Sequence, residues 1–153
     1  MGKIGKGSPG QPGQAELVLA AHQLGAKVRP MIGPSSILLG LMASGLNGQR
    51  FAFQGYIPHD AQQRITRLKQ LEIESRKLKQ TQIWIETPYR NTAMLMACLS
   101  ALAPQTLLCL GVDLSLKSEM TTTLTIAEWR KRYPNEAAFV GLQNRPTVFL
   151  LLG

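Results

Sequence analysis

Cysteine is scarce. Cys98 and Cys109 are the only two among 153 residues, and they stand in no metal-type spacing. That argues against a disulfide scaffold and against a structural zinc site. Histidine is equally sparse: His22 and His59 sit alone in different segments, so no paired metal ligands arise. There is no Gly-x-Gly-x-x-Gly after a strand pattern and no P-loop, which argues against the usual phosphate-cradling loops. Ser35 and Ser36 lack the Gly-x-Ser-x-Gly context of a hydrolase elbow. Long hydrophobic runs are missing too. The longest, residues 37–46, is interrupted by Gly40, Ser44 and Gly45 and falls short of the roughly 20 residues a bilayer span needs. The N-terminus offers Lys3 and Lys6, then Gly and Pro, with no apolar run of signal-peptide length. The expectation is a soluble cytoplasmic protein without metal or membrane association.

What is present supports a packed domain. Apolar residues make up 44% of the chain, enough to exclude a wholly disordered one. The length suits one domain with a core of its own. Seventeen basic residues face nine acidic ones, for a net charge of +8. Arg64, Arg67, Lys69, Arg76, Lys77 and Lys79 crowd one stretch against only Glu72 and Glu74, and Arg130, Lys131 and Arg132 form a second group. Such faces can bind a polyanion by releasing its counterions, or they can simply be solvated helix surface. No aromatic residue is interleaved in 64–79, so base stacking is not indicated there.

Read along the chain, residues 1–14 are rich in Gly, Pro, Lys and Gln and predict an irregular leader. Residues 15–24 (AELVLAAHQL) predict a helix closed by Gly25. Residues 27–32 (KVRPMI) predict a short strand, weakened by Pro30. A turn at 33–36 leads into an apolar helix over 37–44. Strand patterns recur at 51–54, 80–86, 106–112, 121–126 and 147–152, and helix patterns at about 61–71 or beyond, 88–102 and 127–133. Asp60 and Thr87 are candidate caps, with Pro88 at a first helical position. Alternation of this kind predicts an α/β layer structure, a mostly parallel or mixed sheet flanked by helices.

Two segments place polar residues just after apolar strands: 33–36 and Glu86-Thr87-Pro88-Tyr89-Arg90. Ligands of open α/β sheets bind outside the carboxyl ends of strands. Both segments are also good helix starts, and Glu86 with Arg90, four apart, can pair at a helix entrance. Cys98 and Cys109 fall in apolar patterns where a free thiol acts as a small hydrophobe.

Several of these segments resemble one family. Ile32-Gly33-Pro34-Ser35-Ser36, an apolar helix and then Ser44-Gly45-Leu46 resemble the "PGPS(A/S)…L..SGL" segment of the tetrapyrrole (corrin/porphyrin) methylases. Residues 51–58 (FAFQGYIP) resemble the "RF.F.GFLP" of one branch, the methyltransferases acting on a ribose 2′-hydroxyl of 16S ribosomal RNA. Residues 85–90 (IETPYR) are similar to its "YES(P/T)HR". Val112-Asp113-Leu114 with Lys117 and Glu119 sits where that branch has "AREL(T)K..E", and 146–150 (PTVFL) resembles its last strand. The resemblance covers about residues 15–153.

The resemblance implies the C-terminal α/β domain of the tetrapyrrole methylase fold, with S-adenosylmethionine held in a cleft against an N-terminal domain. The segment before Leu17 keeps Pro-Gly but lacks the aspartates of the family's "DAGTP..SDPG". The expectation is therefore an incomplete chain, inactive alone. By the same resemblance Pro34, Ser35, Ser36, Pro146 and Thr147 are the candidate cofactor contacts. Glu86, Tyr89 and Arg90 are candidate substrate or cleft contacts. Arg64, Arg67, Lys69 and Lys77 are candidate contacts to ribosomal RNA, and the chain is expected to form a homodimer. No residue stands out as a base for the 2′-hydroxyl. Two other readings stay open: methylation of a tetrapyrrole or another small metabolite, and a non-catalytic binding or dimerisation module.

Overall fold

A computed structural model describes residues 13–135 and 141–153. The expected leader lies outside the described residues up to position 12. The chain divides into two compact units, one ending at Ser35 and one spanning Ser36–Gly153.

The first unit contains α1 (Gln14–Gln23). The Gly13 amide donates to Glu16 Oε2 at 2.8 Å, closing the first turn. Gly25, at φ +70°, turns the chain out of the helix, as the sequence predicts. The strand expected at 27–32 does not form. Pro30 cannot donate to a ladder, and among the described residues this unit offers no strand to pair with.

The second unit is a five-stranded mixed sheet in the order β1-β2-β5-β3-β4. Its elements in chain order are α2 (Ser36–Ser44), β1 (Phe51–Tyr56), α3 (Ala61–Leu78), β2 (Thr81–Ile85), a 3₁₀ turn (Pro88–Arg90), α4 (Asn91–Ala101), β3 (Leu107–Val112), β4 (Met120–Thr125), α5 (Ile126–Arg132) and β5 (Thr147–Leu152). Only β1 and β2 are parallel; β5 runs antiparallel to both neighbours and β4 antiparallel to β3. Of the two sheet types expected, the mixed one is found.

Period-two alternation divides the core. Trp84, Leu108, Leu110, Val112, Phe149 and Leu151 pack with Leu68, Leu71, Met94, Leu95, Cys98, Ile126 and Trp129 of α3, α4 and α5. Their alternates Ile83, Ile85, Cys109, Val148 and Leu150 pack with Leu41 of α2 and with Leu46. The central strands are apolar on both faces because both are covered. Each such buried Leu, Ile or Val contributes about 1.5–3 kcal/mol relative to exposure. Burial pushes the thiols of Cys98 and Cys109 up, so both behave as small hydrophobes.

Local chemistry fixes the helix ends. Asp60 Oδ1 accepts from the Gln63 amide at 2.9 Å and starts α3. Thr125 and Glu128 form a reciprocal capping box on α5. Arg130 donates to the carbonyls of Leu99 (2.7 Å) and Leu102 (2.9 Å), satisfying the last turn of α4. β1 runs two residues further than the alternation suggests, with an irregularity between Phe53 and Tyr56 where Gly55 takes φ +68°.

The strand directions gather one rim. Tyr56 pairs with Ile85, Ile85 with Val148, and Val112 with both Thr147 and Met120. The carboxyl ends of β1, β2 and β3 therefore meet the amino ends of β4 and β5. This is the end at which open α/β sheets take ligands.

Candidate functional site

The rim is built around a buried carboxylate. Glu86 follows β2 directly and is 5% exposed. Its Oε1 accepts from the Thr87 amide (2.7 Å), the Thr87 hydroxyl (3.2 Å) and Arg90 Nε (3.1 Å), and it pairs with Arg90 Nη2 at 3.0 Å. Oε2 is buried without a hydrogen-bond partner among the described residues. Thr87 stands at the expected cap position, but its hydroxyl serves Glu86 rather than the helix. Arg90 is thus held by Glu86 and also lies over the Tyr89 ring, with Cζ 5.1 Å from the ring centroid. Tyr89 itself is 64% exposed.

Asn91, fully buried at the start of α4, locks this segment to β5. Its Nδ2 donates to the carbonyls of Arg145 (2.6 Å) and Leu142 (3.2 Å) and lies 3.0 Å from Thr147 Oγ1. The Thr147 hydroxyl in turn donates to the Arg145 carbonyl at 3.0 Å. The Asn144 amide reaches the Pro88 carbonyl at 3.2 Å. The expected cofactor contact Thr147 therefore spends its side chain inside the protein, supporting Asn91. Pro146 beside it is exposed, and its carbonyl accepts from the Asp113 amide at 2.9 Å.

A second ion pair ties the β3–β4 loop to the same place. Asp113 Oδ2 accepts from Arg145 Nε (2.8 Å) and from the Ser118 hydroxyl (2.8 Å). Arg145 also donates to the carbonyls of Ser118 and Gly141, and Glu119 accepts from the Ser115 amide. Asp113, Ser115 and Asn144 all adopt positive φ, at 51°, 72° and 63°. Three such non-glycine residues in two adjoining loops mark a backbone held by its surroundings.

The Ser118 hydroxyl first, and the Arg145 guanidinium next, hold the Asp113 carboxyl below the usual carboxylate range. Its stabilisation is then fully present above the unfolded-state value of about 3.9 and lost as pH falls through the lower folded value. Asp113→Asn tolerates the same backbone. It is expected to lower the urea midpoint at pH 7, with the difference shrinking as pH falls below about 3.9. A constant difference across that range would contradict the assignment.

The basic candidates separate. Arg64 is buried, and its guanidinium donates to the carbonyls of Pro58 (3.3 Å) and His59 (2.9 Å), so it is no part of an exposed face. Arg67 is half-buried and donates to Gln54 Oε1 at 3.0 Å. Lys69 and Lys77 are exposed, as are Arg76 and Lys79. Seven and eight residues separate Lys69 from Arg76 and Lys77, which sets all three on one side of α3.

Of the segment 33–36, Pro34 and Ser35 belong to the first unit and Ser36 opens α2 in the second. Gly40, one turn on, lies against Leu114, Val148 and Leu150, which brings the first turn of α2 towards the rim. α2 covers the sheet face of Val148, whereas Thr147 alternates onto the face of Phe149 and Asn91. The side chains of Ser36 and Thr147 thus sit on opposite faces of the sheet. Sequence reading missed Asn91 and Arg145. Their partners lie 51–56 and 32 positions away, and a lone Asn in an apolar helix carries no local signal. Among the described residues no group of three or more His, Cys, Asp or Glu could hold a metal, and no helix is long and apolar enough to cross a membrane.

No family model matches the sequence. Curated relatives do. The chain is 32% identical over 112 residues to "Ribosomal RNA small subunit methyltransferase I" of Vibrio cholerae, covering 73% of this chain and 38% of that protein. It is 34% identical over 117 residues to the protein of that name from Mesorhizobium japonicum, covering 76% and 38%. The Pseudomonas aeruginosa protein of that name gives 32% over 112 residues. The chain thus spans 38% of the length of these relatives. Among solved structures, the methyltransferase CobJ superposes with a TM-score of 0.55 at 12% identity, covering 92% of this chain and 58% of that one. A conserved hypothetical protein of Aeropyrum pernix K1 gives 0.55 at 13%, covering 91% and 52%. At such identities these two matches establish a shared fold.

Proposed function

Because this chain is a relative of the proteins named ribosomal RNA small subunit methyltransferase I, of the tetrapyrrole methylase family, we propose that it forms part of an S-adenosylmethionine-dependent methyltransferase acting on a ribose of small-subunit ribosomal RNA. The observation that carries the reading is this sequence relation over most of the chain. The rim supports it: three strand carboxyl ends, one fixed arginine and one exposed tyrosine meet there.

The cofactor has no phosphate, in keeping with a sequence that has no phosphate loop. When bound it supplies an electrophilic methyl group on a sulfonium. Within the second unit the residues available for it are Ser36, Pro146 and the backbone at Thr147. With the Thr147 hydroxyl occupied, hydrogen bonding from this strand is left to backbone groups. Positioning the two reactants supplies most of what a displacement at carbon requires. Glu86, Tyr89 and Arg90 are the residues we assign to the substrate side.

Lys69 and Lys77 we assign to RNA phosphates, with Arg76 beside them. Arg64 is committed to backbone carbonyls within the protein, whereas Arg67, half-buried with its Nη2 on Gln54, stays among the RNA contacts we assign. Replacing Lys69 and Lys77 by Gln is expected to lower the slope of log K against log salt by about 0.7 for each phosphate contact to a single strand. The test is anisotropy of a fluorescent single-stranded oligoribonucleotide copied from small-subunit RNA. Failure of the unaltered chain to bind at low salt would sink the RNA reading and favour a small-metabolite methyltransferase.

A homodimer belongs to the same reading. Leu38 (49% exposed), Met42 (80%) and Phe51 (41%) line an apolar groove of about 380 Å³ beside the edge strand β1. Equilibrium sedimentation is expected to give twice the chain mass; a monomer at high concentration would contradict it.

A further inference from the structure

We propose that Tyr89 and Arg90 bind one unpaired nucleotide of RNA, its base stacked on the Tyr89 ring and its phosphate on the Arg90 guanidinium, with Glu86 as the positioning residue beneath them. The proposal rests on the RNA-substrate reading above.

Three observations carry it. First, Tyr89 sits in the 3₁₀ turn after β2 with 64% of its surface exposed, on a rim where its neighbours Glu86 and Asn91 are buried. An aromatic ring offered to solvent beside a cation is the recurrent platform for splayed-out bases. Second, Arg90 is ordered before any ligand arrives. Glu86 Oε1 holds its Nε and Nη2, and the Tyr89 ring lies against its guanidinium. An arginine carries five N–H donors, so this arrangement leaves Nη1 for a phosphate, and prior ordering lowers the entropy cost of binding. Third, the turn cannot drift. The Pro88 carbonyl accepts from the Asn144 amide, and Asn91 anchors the next residue to the entrance of β5.

The buried carboxylate gives the site a distinctive signature. Glu86 balances the charge of Arg90, so the pair contributes geometry, while the lysines of α3 contribute the long-range attraction. Stacking on Tyr89 does not release counterions, whereas the phosphate contacts of Arg90 and of the lysines do. Tyr89 should therefore separate from the basic residues in a salt titration. A duplex keeps its bases stacked on each other and cannot use Tyr89.

The test uses the whole chain and an oligoribonucleotide carrying 2-aminopurine, read by anisotropy and by quenching of the 2-aminopurine fluorescence. Tyr89→Leu is expected to weaken single-strand binding roughly five-fold or more. It should abolish the protein-induced quenching and leave both the salt slope and the thermal midpoint unchanged. Tyr89→Phe should behave as the parent. Glu86→Ala should lose quenching with Tyr89 intact, because it removes the Oε1 acceptor that holds Arg90. Binding of a duplex of equal length should not respond to Tyr89→Leu. Single-strand affinity and quenching that survive Tyr89→Leu would overturn this proposal alone. Absence of any RNA binding by the parent chain would overturn the RNA reading and the proposal with it.

Discussion

Asn91→Asp is expected to destabilise the second unit by about 3 kcal/mol or more, an effect of the size seen when a buried charge lacks compensation. The amide nitrogen now donates to two carbonyls and faces the Thr147 hydroxyl oxygen, in a site with no solvent exposure. A carboxylate there would turn an oxygen towards the two carbonyls in place of a donor. Burial would raise the folded-state pKa of the introduced group above its unfolded value of about 3.9. The deficit relative to the parent is therefore largest at neutral pH and shrinks as pH falls towards 4, because the protonated acid can again donate. Asn91→Ala should cost less, about 1–3 kcal/mol, since it only leaves buried acceptors without their donor. Urea midpoints of parent and variants at pH 7 and pH 4 check both statements. An Asp variant as stable as the Ala variant at pH 7 would contradict the buried network.

Truncating the aromatic pair at the sheet centre is the second large effect. Trp84 and Phe149 are fully buried and stacked across β2 and β5, with centroids 5.6 Å apart and planes 11° from parallel. Phe149→Ala or Trp84→Ala leaves a cavity in a core closed by α3 and α4, at a cost of about 3–5 kcal/mol each. The double variant should fall short of the sum by about 0.5–1.5 kcal/mol, the part due to ring stacking. Strict additivity would mean that the rings share a core without a specific contact. Because the whole domain has only about 5–15 kcal/mol to lose, either single variant should be marginal at 37 °C.

How much of this was legible beforehand depends on the range of the interactions. The strands β2, β3 and β5 were readable because burial on both faces leaves unbroken apolar runs, and α3 because Asp60 and its apolar stripe are local signals. The strand at 27–32 was misread. Its β-branched and apolar residues fit a strand, yet a strand exists only through a partner, and Pro30 removes a donor. Glu86 and Arg90 could be paired from sequence since they are four residues apart. The Asn91–Thr147 and Asp113–Arg145 contacts could not, because only the antiparallel crossing of β5 between β2 and β3 brings them together. Arg64 shows the same limit from the other side. Charge composition counts it with Lys69 and Lys77, but its position on the inner face of α3 turns it into a clamp for the segment at Pro58 and His59.

The central claim is that the sheet end carrying 86–91, 113–119 and 145–147 is where cofactor and RNA meet this chain. Amide chemical-shift mapping of the ¹⁵N-labelled protein tests it most directly, with S-adenosylhomocysteine and a short single-stranded RNA added separately and together. Shifts concentrated at Ser36, Arg145 and Thr147 with the cofactor product, and at Glu86, Tyr89 and Arg90 with RNA, extending along α3 to Lys69 and Lys77, are the predicted result. Shifts confined to the opposite end of the sheet, or a spectrum unmoved by either ligand, would contradict it.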